Sequence, residues 1–138
     1  MSNRNYVGDE VTEIKKEIIY DRLKRKGADR MNYMDRTLFQ QVTKESGIPV
    51  LVAFCASDCG YCKRITPALK RLADRNRGKM GVGVLDISME PELFRAEQIE
   101  ALPTLVLYRS GEVLGSIVGP DSGDVIEEFL EETLAPAV

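Results

Sequence analysis

Hydrophobic residues return along this chain at two periods, and the switching between them predicts its elements. From Asp9 to Lys26, Val11, Ile14, Ile18, Ile19 and Leu23 recur at helical spacing among charges, with Gly27 as a stop, which predicts an amphipathic helix. A second helical pattern runs from about Asp35 to Glu45 through Leu38, Phe39 and Val42 and ends at Ser46-Gly47. The following run, Pro49-Val50-Leu51-Val52-Ala53-Phe54, is almost unbroken in apolar character. That is the pattern of a strand buried on both faces, with proline at its start, where a missing amide does little harm. From Cys62 to about Asn76, Ile65, Ala68, Leu69, Leu72 and Ala73 recur at helical period among basic residues, in a long helix that Pro67 is expected to kink. Met80 to Ile87 predicts a strand, and Pro91 to Ile99 a short helix opened by a proline in its first turn. Thr104 to Tyr108 and Glu112 to Val118 flank Arg109-Ser110-Gly111 as a hairpin. Asp121 or Ser122 caps a last helix carrying Val125, Ile126, Phe129, Leu130 and Leu134.

From Asp35 onward the order is therefore helix, strand, helix, strand, helix, hairpin, helix. Strands alternating with helices imply an α/β fold, a partly parallel sheet with helices on its faces, to which the hairpin adds antiparallel strands. The length of 138 residues allows one compact domain and is too short for two ordinary ones. An apolar fraction of 43% and a charged fraction of 30% are those of a globular protein. The net charge of -3 argues against a nucleic-acid partner, because counterion release from phosphates needs a basic face. Met1 to Asp9 lack the apolar core of a secretory signal, and no stretch approaches the roughly 20 apolar residues of a membrane span. No membrane association is expected, and the chain reads as cytoplasmic.

The three cysteines, Cys55, Cys59 and Cys62, are clustered instead of being spread as a disulfide framework, which points to metal or redox chemistry. With no histidine in the chain, the commonest metal ligand and the commonest general base are both missing. The chemistry falls to sulfur and carboxylates. Cys59-Gly60-Tyr61-Cys62 lies where a buried strand meets a helix start, and the free amides and dipole of a helix start favour the thiolate that attacks in disulfide exchange. Two intervening residues put the second sulfur one turn inside, within reach of a mixed disulfide. Cys59 reads as the exposed nucleophile and Cys62 as the buried resolving thiol.

With Lys63 added, this segment resembles the active site of the thioredoxin family, and other motifs follow in the family's order. Pro67 stands where that family kinks its active-site helix, Ala101-Leu102-Pro103-Thr104-Leu105 is similar to its cis-proline segment, Ser110-Gly111-Glu112 to its hairpin turn, and Val118-Gly119 to the glycine beside its substrate groove. The match runs from about Asp35 to Leu134. The resemblance implies a thioredoxin fold over 35–138, a central mixed sheet flanked by helices, with 1–34 as a helical extension. That N-terminal helix is expected to cover a flank of the same domain, or else to serve dimerisation or docking. The resemblance also implies a protein-disulfide reductase needing no cofactor beyond a redox-active Cys59–Cys62 disulfide. Its partners would be protein disulfide substrates and a reductase or other dithiol electron donor. Gly60, Tyr61, Leu102, Pro103 and Gly119 would bind substrate, with Pro103 cis against the sulfurs and unable to donate a competing amide; Asp58, Lys63, Pro67 and Cys55 would modulate the site.

Departures from the family pattern bear on mechanism. The family's buried aspartate would fall at Ala53 and its partner lysine near Val84, while its two tryptophans before the first cysteine are replaced by Asp58 and Cys55. Gly60-Tyr61 resembles the dipeptide of bacterial disulfide isomerases, yet Leu102 stands where those have threonine before the cis-proline. An isomerase and a peptide-binding adaptor with little turnover are therefore alternatives. The cysteine trio also resembles the cluster motif of radical S-adenosylmethionine enzymes, in which three thiolates hold an iron-sulfur cubane. That family needs a larger partial barrel, and Cys55 reads better as the buried end of a strand, where a free cysteine behaves as a small apolar residue.

Overall fold

In the computed structural model, residues 34–56 and 58–135 are described, so the predicted helix over 9–26 lies outside the described residues. Helix α1 (Arg36–Glu45) starts where the Asp35 carboxylate accepts a hydrogen bond from the Leu38 amide at 2.7 Å, satisfying a donor that a helix start leaves without a partner. Strand β1 (Val50–Cys55) follows, buried at every position. The chain continues through α2 (Gly60–Arg75), β2 (Gly81–Asp86), α3 (Pro91–Ala96), β3 (Thr104–Arg109), β4 (Glu112–Val118) and α4 (Gly123–Thr133). Of the two candidate caps for α4 it is Ser122 that serves, its hydroxyl accepting from the Val125 amide at 3.3 Å.

The sheet has the order β2-β1-β3-β4, with β1 parallel to β2 and antiparallel to β3, and β3 antiparallel to β4. Because side chains alternate across a strand, β1 serves two cores. Leu51, Ala53 and Cys55 pack toward α2 and α4 with Ile65, Leu69, Leu72, Ile126 and Leu130. Val50, Val52 and Phe54 pack on the other face with Leu38, Phe39 and Val42 of α1 and Leu93 and Phe94 of α3. The continuous apolar run from Val50 to Phe54 is the direct consequence of two covered faces.

Element ends differ from the pattern reading at a few places, each for a local reason. Strand β2 stops at Asp86, whose Oδ1 accepts from the amide and hydroxyl of Ser88 and turns the chain, leaving Ile87 exposed. Helix α3 ends at Ala96, ahead of Gln98, which takes a φ of 60°. Helix α2 continues through Pro67 as one helix and begins at Gly60, because Cys59 is its cap. The hairpin turns on Ser110 and Gly111, with φ of 52° and 86°, the left-handed pair that suits the twist of two strands. Its tip is tied to the end of α1 by bonds from Ser110 N to Ser46 O and from Gly111 N to Thr43 O. Met34, ahead of α1, donates to Val84 O at 2.8 Å and packs on Gly83, where a Cβ would stand 2.2 Å from its methyl carbon.

Candidate active site

Cys59 follows β1 after a short turn in which its amide donates to Ala56 O at 3.0 Å. It has extended backbone angles, φ -85° and ψ 121°, and caps α2: the Cys62 amide donates to Cys59 Sγ at 3.4 Å. Sulfur thus takes the place of the hydroxyl or carboxylate oxygen usual at a helix cap. A residue with extended geometry between a strand and a helix projects outward, while the third helical residue turns inward. Cys59 is accordingly half-buried and packs against the edge of the α2-side core, whereas Cys62 is buried within it. Between them Gly60 has open space beside it, and the Tyr61 ring is 61% exposed, with the Arg64 guanidinium 5.0 Å above its centroid. All three cysteines are free thiols.

The electrostatics separate the two thiols of the pair. The Cys62 amide, helped by the Cys62 thiol and the Tyr61 amide, hydrogen-bonds the Cys59 sulfur and holds its pKa below the ordinary thiol value; partial burial and the neighbouring Asp58 carboxylate oppose this. Burial pushes the Cys62 thiol up, and its bond to Cys59 adds to that, while the Ala56 amide and the Cys55 thiol pull it back by hydrogen-bonding its charged form. Cys55 is pushed well above the ordinary range, chiefly by burial, with Cys62, Cys59 and Asp86 adding. The arrangement favours the thiolate on the accessible Cys59 and the protonated thiol on Cys62 behind it.

The remaining sequence-derived positions fall in two groups. The Leu102–Pro103 peptide is cis, Pro103 is buried immediately before β3, and the pairing of Phe54 with Thr104 sets Pro103 beside the end of β1 from which the cysteine turn leaves. Gly119, with a φ of 63°, donates to Pro103 O at 2.8 Å, and Leu102 lies against both cores. Leu102, Pro103 and Gly119 therefore share one end of the sheet with Cys59. Asp58, Lys63 and Pro67 are exposed, and Cys55 closes β1. Ala53 and Val84, the two positions without charge, are cross-strand partners in β1 and β2, both buried in the core that holds Cys62.

The same sheet end carries apolar side chains that the sequence pattern assigned to strands or left without a role. Ile87, Met89 and Val118 are 37%, 74% and 61% exposed, and Ile87 N donates to Cys55 O. The alternation Ile87-Ser88-Met89-Glu90 after a buried strand was the available signal. Among the described residues, no group of three or more cysteine, aspartate or glutamate side chains is arranged to hold a metal ion, and the sheet is open and four-stranded, unlike the barrel that accompanies the iron-sulfur motif. No helix among the described residues is long and apolar enough to cross a membrane.

Comparison with known proteins gives a consistent picture. The family model for thioredoxin matches residues 30–132. Over 103 residues the chain is 31% identical to mitochondrial thioredoxin of Mus musculus, covering 75% of this chain and 62% of that protein. It is 39% identical over 74 residues to a thioredoxin of Mycobacterium bovis, covering 54% of this chain and 64% of the relative. A bifunctional thioredoxin reductase/thioredoxin of Mycobacterium leprae is 38% identical over 85 residues, which are 62% of this chain and 18% of that protein. The chain thus spans less than two thirds of the length of each of these relatives.

Proposed function

The chain belongs to the thioredoxin family, and from that premise we propose that it is a thiol-disulfide oxidoreductase that reduces protein disulfides through Cys59 and Cys62. The observation that carries the reading is the Cys59 sulfur serving as the cap of α2, its pKa held down by the Cys62 amide, with the Cys62 thiol protonated and buried behind it. The Cys59 thiolate attacks one sulfur of a substrate disulfide, forming a mixed disulfide and expelling the other sulfur as a thiolate that takes a proton from solvent. Cys62 then loses its proton and attacks Cys59 Sγ, releasing the reduced substrate and leaving the Cys59–Cys62 disulfide. A dithiol donor, such as a reductase, returns both electrons. No further cofactor is needed. Tyr61, Ile87, Met89 and Val118 form an exposed apolar border suited to the unfolded segments in which protein disulfides become reachable.

Two substitutions test the assignment in an insulin-reduction assay with dithiothreitol. Cys59→Ser should abolish activity, since a hydroxyl is too weak a nucleophile at neutral pH. Cys62→Ser should trap a mixed disulfide on Cys59, seen by mass spectrometry and released by dithiothreitol. Full activity in Cys59→Ser would overturn the reading. The reduction potential of the pair separates a reductase, near about -270 mV, from an oxidase or isomerase, near roughly -120 to -180 mV. A reductase of this kind with clustered free thiols fits the cytoplasm, and cell fractionation tests that placement.

A further inference from the structure

The resolving step needs Cys62 as a thiolate, yet Cys62 sits in a largely apolar core. The core side chains that β3 and α4 bring to its cluster are Leu105, Leu107, Ile126 and Leu130, and β2 adds Val82 and Val84. The titratable groups that bear on the pair Cys55 and Cys62 are Cys59 in the turn and, on Cys55, Asp86 of β2; Asp58 acts on Cys59. Among the described residues none of these is positioned as a base on Cys62. Two neighbours favour its charged form, the Ala56 amide and the thiol of Cys55. Cys55 closes β1 on the same face as Leu51 and Ala53, is buried at 6% exposure beside Cys62 at 5%, and belongs to the same cluster. The β alternation sets its side chain on the side of the sheet that α2 covers.

We infer that Cys55 is a positioning residue for the exchange reaction, its S–H donating a hydrogen bond to the Cys62 thiolate as that thiolate forms and attacks Cys59. The assignment rests on the exchange chemistry proposed above. Burial keeps Cys55 protonated through the neutral range, so it holds its proton and enters no disulfide during turnover. The proton that leaves Cys62 goes to water; one S–S bond forms between Cys62 and Cys59 while the Cys59-to-substrate bond breaks, and the departing substrate thiolate is protonated by solvent. A thiol is a weak donor, but one aimed at a charge in a low-dielectric site counts for more than its strength in water suggests. The same cysteine also fills core volume, so the test must distinguish donor from filler.

Cys55→Ser keeps a small hydroxyl donor where the sulfur stood, Cys55→Ala removes donor and volume together, and Cys55→Val fills the volume with no donor. Stopped-flow measurement with a disulfide-bonded peptide follows formation and decay of the Cys59 mixed disulfide from pH 6 to 9 in each variant and the parent. Cys55→Ala should form the mixed disulfide at the parent rate and resolve it roughly three- to tenfold more slowly at pH 7, the range for losing a hydrogen bond to a charged group with a weak donor. Its resolution profile should move to higher pH, and Cys55→Ser should restore it while Cys55→Val should not. Equal resolution profiles for the parent and all variants, equal slowing in Ala and Ser, or recovery in Val, would overturn the inference. If instead the parent does not reduce the peptide disulfide at all, the exchange reading itself fails.

Discussion

Cys59 does two things with one atom: its sulfur accepts the Cys62 amide that opens α2, and that bond favours the thiolate needed for attack. Reactivity should therefore be present above a pKa lying below the ordinary thiol value and be lost as pH falls through it, which an iodoacetamide alkylation-rate titration of Cys59 measures. Asp58 works against this, because its carboxylate raises the same pKa. Asp58→Asn should shift the alkylation profile to lower pH and raise the thiolate fraction at pH 6 to 7. The shift should be modest, since an exposed carboxylate is screened by water and salt, and 1 M salt should shrink it further. No shift, or a shift to higher pH, would count against an Asp58 charge close to the sulfur.

Helix α1 and helix α2 lie on opposite faces of β1 and can be perturbed separately. Asp35→Ala removes the carboxylate that caps α1 and should cost about 1 kcal/mol of stability, read as a lower urea midpoint with an unchanged slope. Cys59 alkylation should not change, because α1 contributes nothing to the core behind the cysteines. The hairpin tip connects to α1 through Thr43 O and Ser46 O, so this substitution should also raise amide exchange at Gly111, which hydrogen-exchange mass spectrometry detects.

The whole domain is held by two cores that share one strand, and Phe54 is the largest fully buried side chain on it. It meets Phe39 and Phe94 edge to face at 6.0 and 5.0 Å between centroids, and Phe39 in turn meets Tyr108 at 5.4 Å. Phe54→Ala should cost about 3 to 5 kcal/mol, a large share of the roughly 5 to 15 kcal/mol that a domain of this kind commands, and should lower a single unfolding transition seen by both secondary-structure and thiol-exposure probes. Periodicity was enough to read the order of elements, the two-faced burial of β1 and the placing of Cys59 and Cys62 at a strand-to-helix junction, because spacing along the chain decides which side chains share a face. Strand order, the bond between Gly119 and Pro103, the pairing of Ala53 with Val84 and the exposure of Ile87 and Met89 join or expose residues through contacts across the sheet, which no local period encodes. Cys55 shows the division most clearly. Its burial followed from the apolar run it ends, but that it shares one buried cluster with Cys62 was decided only by the packing of α2 over β1, since contact depends on positions in space and not on distance along the chain.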